Sequence, residues 1–252
     1  PNTVESKGNA KIRFRDIYNQ NTFDKDKKTF KSGSLLPGFG YNPDEGIKIG
    51  LKVVKTVNGF KRNPFTTRNT YSLGYYFATN GFDASYEGEF ARILGNFNLL
   101  VGANFSSPNA SNNFFGFGNE TSNFDDDLDY DYNRTKIGRA GIKFGFVRKS
   151  PFGSYFGYMA NFEGIKVDDT EGRFISEEFM PNDPDFFERK FFGGLDATYR
   201  YESYDNNLNP TRGMKFELNG GGKLNLEDLE RHFGYIKPYL GVYNSLSKQQ
   251  KA

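Results

Sequence analysis

The chain has no cysteine and no tryptophan among its 252 residues, and it has only one histidine and three methionines. Without cysteine there is no disulfide scaffold, no thiolate metal site and no thiol nucleophile, and the redox compartment leaves no trace. No run approaches the about 18 apolar residues of a membrane-spanning helix. An excess of either charge is missing too: 33 basic residues against 31 acidic ones leave +2. That balance offers no electrostatic case for a nucleic-acid partner. The start, Pro1-Asn2-Thr3, lacks the basic and apolar leader of an export signal, so the chain reads as a mature protein or as part of a longer one.

What the chain does have is 28 Phe, 16 Tyr and 29 Gly at a mean hydropathy of −0.71. So many rings in so polar a chain require that each large side chain alternate with a polar neighbour, as on a sheet with one apolar and one polar face. Disorder is excluded by the same aromatic content.

Scored for period two, the sequence from about residue 46 resolves into alternating segments. Ile47, Ile49, Leu51 and Val53 alternate with Lys48, Gly50 and Lys52. Tyr71, Leu73, Tyr75 and Phe77 lead to an Asn80-Gly81 hairpin signal; Phe82, Ala84, Tyr86 and Phe90 follow, against Asp83 and Glu87. Phe97, Leu99, Val101, Ala103 and Phe105 make a fourth row. After a long polar stretch come Ala140, Ile142, Phe144 and Phe146 against Arg139 and Lys143. Phe156, Tyr158, Ala160 and Phe162 alternate with Asn161 and Glu163. Leu195, Ala197, Tyr199 and Tyr201 alternate with Asp196 and Arg200, and Met214, Phe216 and Leu218 with Lys215 and Glu217. A weaker segment spans Tyr235 to Leu246. The single helix candidate, Asn225 to Arg231, is short and polar.

The fold class is therefore all-β and antiparallel. Two architectures satisfy it: a soluble sandwich or ligand-binding barrel with its rings inward, or a transmembrane β-barrel with its rings outward and its charges in a wet lumen. Aromatics at strand ends, apolar rows with much Ala and little Leu or Ile, and polar rows that mix both signs with Gly favour the membrane. At roughly 20 to 25 residues per strand and its connection, the chain holds about ten strands. On this reading Lys48, Lys52, Asp83, Glu87, Arg139, Lys143, Glu163, Asp196, Arg200, Lys215 and Glu217 face the lumen. Residues 1–40 form a polar connector and 41–252 the barrel.

From Tyr199 to Leu218 the sequence reads YRYESYDNNLNPTRGMKFEL. A strand that ends in Asp205, an Asn209-Pro210-Thr211-Arg212-Gly213 turn and an alternating strand together resemble a barrel hairpin of the BamA/TamA outer-membrane assembly factors, or bacterial surface antigens. Pro210 fixes φ, and Gly213 permits a left-handed conformation or a close approach. Two upstream segments, Pro37 to Gly46 and Phe114 to Thr121, are similar to the version of this barrel that follows a calcineurin-like phosphoesterase domain. The resemblance covers roughly residues 37 to 246 and implies an outer-membrane barrel of about sixteen strands in a Gram-negative bacterium. Here it would be the N-terminal part, ahead of an inward loop with an Arg-Gly-aromatic motif. It implies insertion or translocation of outer-membrane proteins or lipids, with outer-membrane lipid, assembly proteins and client barrels as partners. A passive porin is the alternative that the residues leave open, and a soluble ligand-binding barrel is the second.

Catalysis finds no support. His232 stands alone in a polar run, and no alternating strand pairs Ser with His. No cofactor is expected, because the Gly220-Gly221-Gly222 run precedes no helix that would complete a phosphate-binding loop. Asp125, Asp127, Asp129 and Asp131 are weak candidates for a hard cation such as Ca²⁺, since they lack the Gly and terminal Glu spacing of a calcium loop.

Overall fold

The computed structural model of the protein describes residues 31–42, 45–59, 62, 65–108, 111–116, 131–150, 152–181, 183–206 and 208–245. The strands are β1 (Lys31–Asn42), β2 (Gly46–Val57), β3 (Thr67–Tyr76), β4 (Gly81–Leu94), β5 (Phe97–Ser106), β6 (Ser111–Asn113), β7 (Arg134–Lys149), β8 (Ser154–Val167), β9 (Lys190–Tyr204), β10 (Arg212–Asn225) and β11 (His232–Asn244). They form one eleven-stranded antiparallel sheet in chain order, except that short β6 pairs with β7 off the main path. β2 lies between β1 and β3, and among the described residues β1 and β11 have one partner strand each.

All nine segments read from alternation are strands. Register carries one row of side chains from strand to strand, because pairing in phase keeps every apolar row on one face. Leu51 lies opposite Leu73, Leu73 opposite Ala84, Ala84 opposite Phe105, and Phe105 opposite Ala140. The neighbouring row on the other face runs from Lys52 to Ser72, Ser85, Asn104, Gly141 and Glu163. One irregularity breaks β4 between Phe90 and Leu94, where Arg92 takes φ +50° and donates its backbone N–H to Asn98 Oδ1 at 2.9 Å. This is the geometry of a bulge that bends the end of a strand.

Three details depart from the sequence reading. β1 begins ahead of the boundary drawn at residue 40, so most of it lies in the segment read as connector. Pro37 and Gly33, Gly38 and Gly40 interrupt its alternation, and Pro37 is tolerated because β1 lies at the edge of the described sheet. The segment read as a helix, Asn225 to Arg231, is the end of β10 followed by a hairpin loop. Asn225 Oδ1 accepts from the N–H of Glu227 at 2.9 Å, and Asp228 accepts from the N–H of Glu230 at 3.2 Å. Such side-chain bonds favour turns over helix. The helical turns that do occur, a π turn at Ile175–Phe179 and a 3-10 turn at Pro184–Phe187, lie in the 168–189 connection.

A conventional core is absent among the described residues. Only Phe65, Ala91, Tyr132, Val147 and Ile175 are buried hydrophobics, whereas Leu195 is 70% exposed, Ile236 76% and Phe39 84%. Among the described residues nothing is layered on the apolar face of the main sheet. Because the strands alternate in direction, the connections sort by end. Those at 58–66, 95–96, 150–153 and 205–211 share one end with the start of β1 and the finish of β11. The two longest, 107–133 and 168–189, lie at the other end.

Candidate functional site: a two-faced wall and its turn

On the apolar face, Leu35, Phe39, Ile47, Ile49, Leu73, Ile142, Phe144, Leu195, Ile236, Leu240 and Val242 all project from strands without cover. The aromatic contacts there run mostly within the face: Tyr71 packs on Tyr86 at 5.2 Å, Phe82 stacks on Phe105 at 5.2 Å and Phe162 on Phe191 at 5.8 Å. Cross-strand ring pairs of this kind stabilise a pleated surface. β11, ambiguous in the sequence, resolves here. Ile236, Leu240 and Val242 join the apolar face, while Tyr235, Tyr239 and Tyr243 fall on the other.

The opposite face is built from long polar side chains that reach over glycines. Lys48 on β2 meets Asp83 on β4 at 2.8 Å, passing above Gly74 of β3. Tyr76 closes that triad, since its hydroxyl lies 2.6 Å from Asp83 and 2.5 Å from Lys48 Nζ. Lys143 on β7 reaches Glu87 on β4 at 3.1 Å above Gly102 of β5. Lys223 on β10 pairs with Glu163 on β8 above Gly194 of β9. Tyr235 on β11 donates to Asp196 on β9 at 2.5 Å above Gly221 of β10, and Asn161 donates to the same carboxylate. In each case a Cβ on the glycine would collide with the bridging side chains. The glycines thus create lanes that connect every second strand.

Most of the residues assigned to a lumen from sequence lie in these contacts. Arg200, Lys215, Glu202 and Glu217 form a mixed-sign ladder, with Lys215 at 3.5 Å from both Glu202 and Glu217. Lys52 and Arg139 share the face by register and have no ion-pair partner among the described residues. The partners Tyr76, Lys223 and Tyr235 were missed; Asn161 and Glu89 fall on the polar rows of the alternation but were not assigned to the lumen, and Glu89 is buried beside Asn98 (2.7 Å) and Lys149 (2.7 Å). Parity with their strand-mates marks Tyr76 and Lys223 in the sequence, but the bridge across two strands does not show there.

The Asp205 turn is a second construction. The Asp205 carboxylate accepts from the backbone N–H groups of Asn206, Thr211 and Arg212, each at 3.0 Å, and from the Thr211 hydroxyl at 2.5 Å. Asn206 Oδ1 accepts from Leu208 and Asn209 and closes the loop that leads to Pro210. Gly213 takes φ +150°, and a Cβ there would strike the carbonyl of Ser203, so only glycine fits this close approach. The Thr211 hydroxyl and the Arg212 N–H hold the exposed Asp205 carboxyl at about 2, far below its ordinary range, by hydrogen-bonding the charged form.

No family model matches the chain, and no curated protein matches it. The BamA/TamA resemblance therefore rests on the residues quoted for it.

Asp125, Asp127 and Asp129 lie outside the described residues, as does the stretch from 117 to 121. Asp131 is engaged by Arg134 and Arg173, and no cluster of three metal-ligating side chains occurs among the described residues. His232 opens β11 with Nδ1 3.2 Å from the carbonyl of Leu229, exposed.

Proposed function

We propose that the chain forms a lipid-embedded wall of an outer-membrane β-barrel of the BamA/TamA type, serving insertion or translocation of outer-membrane proteins or lipids. The observation that carries this reading is the uncovered apolar face backed by a charged face. In water, so large an exposed apolar surface is an aggregation liability; in a bilayer it is the lipid-facing wall, and the charged face lines an aqueous interior. The division of connections agrees, since outer-membrane barrels keep short turns on the periplasmic side and longer loops outside. The end that holds the Asp205 turn is then periplasmic.

The assembly role rests on the Asp205-to-Gly213 turn signature and on the edges. β1 and β11 each present one unpaired side among the described residues. Unpaired N–H and C=O groups cost several kcal/mol each in hydrocarbon, roughly, so such edges must meet further strands. A client strand that adds to an edge would satisfy them by β-augmentation. A passive porin is the second reading, favoured by the mixed-charge face, which would set its selectivity.

Reconstitution into lipid vesicles tests the proposal. The chain should float with the vesicles and should accelerate membrane insertion of an unfolded outer-membrane barrel. Ion conductance without any effect on insertion would replace the assembly role with the porin. A monodisperse, detergent-free chain that ignores vesicles would overturn both.

A further inference from the structure

The two faces divide their charges by sign. Every Asp and Glu within a strand, from Asp83 on β4 to Glu217 on β10, falls on the polar face by register. Outside the β4 bulge, the charged residues that share the apolar face are cations alone, and they stand near strand ends. Lys31, Lys55, Arg148 and Arg212 lie at the end of the short turns, and Arg134, Lys136 and Lys166 at the end of the long connections.

The two ends differ in what meets these cations. At the long end, Arg134 pairs with Asp131 and Lys166 lies 3.8 Å from Asp168. The connections there carry further carboxylates, among them Glu177, Asp185 and Asp228. At the short end, Lys31, Lys55, Arg148 and Arg212 are all exposed, and none has a carboxylate within ion-pair distance among the described residues. Asp205 is the one acid in the described short turns, and its carboxylate is occupied by the N–H groups of Asn206, Thr211 and Arg212.

Lys31 and Lys55 show what this margin lacks. Gly33 lies opposite Lys55, so Lys31 is the diagonal neighbour of Lys55 on the same face, at the roughly 7–8 Å of such pairs. Like charges so placed repel each other until an anion lies between them. Arg148 stands opposite Phe156 and two residues beyond Phe146. Long basic side chains at such a border lay their stems on apolar surface and hold their heads in water.

We propose that this margin binds the phosphate groups of acidic phospholipids in the leaflet on the short-turn side. The inference rests on the lipid-facing reading of the apolar face and adds to it a preference for one class of lipid. Acyl chains lie along the uncovered apolar rows, while the ammonium and guanidinium groups donate to the phosphates at their border. A zwitterionic headgroup brings its own cation and neutralises the margin less. The long end, whose cations are met by its own carboxylates, exerts no such preference.

Lipid spin labels test it on the full chain reconstituted in phosphatidylcholine vesicles. Immobilised chains of spin-labelled phosphatidylcholine report the lipid-facing wall itself. Spin-labelled phosphatidylglycerol should be enriched in that immobilised population by about twofold or more, and the enrichment should fade in molar salt. Lys31→Gln, Lys55→Gln, Arg148→Gln and Arg212→Gln together should abolish the enrichment and keep the immobilised phosphatidylcholine, whereas Lys136→Gln with Lys166→Gln should keep both. If the fourfold variant loses its strand circular dichroism, the salt dependence decides. Immobilised lipid without a preference for phosphatidylglycerol, or a preference that survives in the fourfold variant or in molar salt, would overturn the inference and leave the wall standing. No immobilised lipid of either kind would overturn both.

Discussion

The two faces of the sheet are made from the same strands and differ in what lies over their glycines at several positions. On the polar face, Gly74, Gly194 and Gly221 are overlaid by side chains from both neighbouring strands and Gly102 by Lys143, so that a Cβ at any of them would collide. On the apolar face, a Cβ at Gly220, Gly222 or Gly234 would meet nothing closer than 3.4 Å. One face is therefore packed and internally bonded. The other carries its large apolar side chains uncovered among the described residues. A soluble sheet protein would be expected to pack its apolar face against a second layer and leave its charges loosely solvated; here the order is reversed.

The largest effect should come from placing a charge on the wrong face. Ile142 sits mid-strand on the apolar face, exposed, while Ser85 lies on the polar face. Ile142→Arg should cost ~2–4 kcal/mol of bilayer-folded stability, whereas Ser85→Arg should assemble as the parent does, read by urea unfolding in vesicles. Filling a glycine lane comes next. Gly221→Leu, which drives into Asp196 and Tyr235, should cost ~1–3 kcal/mol by overpacking, and Gly220→Leu about 0.5 kcal/mol or less. If both cost the same, the distinction between the faces fails.

Smaller still is the removal of one charge from a bridge. Lys143 and Glu87 are 46% and 55% exposed, so Glu87→Gln should change stability by less than ~1 kcal/mol, a difference that high salt should erase. The most local effect is that of pH on the Asp205 turn. Its folded value of about 2 lies below the ordinary ~3.9 of an unfolded aspartate. The turn's support is then complete above that ordinary value and is lost as pH falls towards 2. The protection of the Thr211 and Arg212 amides, relative to their intrinsic exchange rates, should fall over that window, and in Asp205→Asn it should be low and flat with pH.

Much of this wall was legible because alternation survives in the sequence. Leu73 and Ile142 declare their face through neighbours two residues away, and in-phase pairing carries that face across the sheet. β1 was hidden because Pro37 and three glycines interrupt its period. β6 was hidden because Ser111-Asn112-Asn113 has no period to read. The bridges were half-legible: Lys143 and Glu87 could each be assigned to the polar face, but their meeting depends on register between residues 56 apart and on the space above Gly102. In the turn, Asp205 and Gly213 stood out by residue type, while the three backbone donors around Asp205 appear only once the loop is closed.

The absence of cysteine permits the most direct test. Single Cys substitutions from Arg139 to Phe146 on β7, each spin-labelled in lipid vesicles, report lipid against water at successive positions of one strand. Labels at 140, 142, 144 and 146 should relax with oxygen dissolved in the bilayer, and labels at 139, 141, 143 and 145 with a water-soluble nickel complex, at a strict period of two. Water access at 142 and 144 equal to that at 141 and 143 would contradict the assignment of the apolar face to lipid.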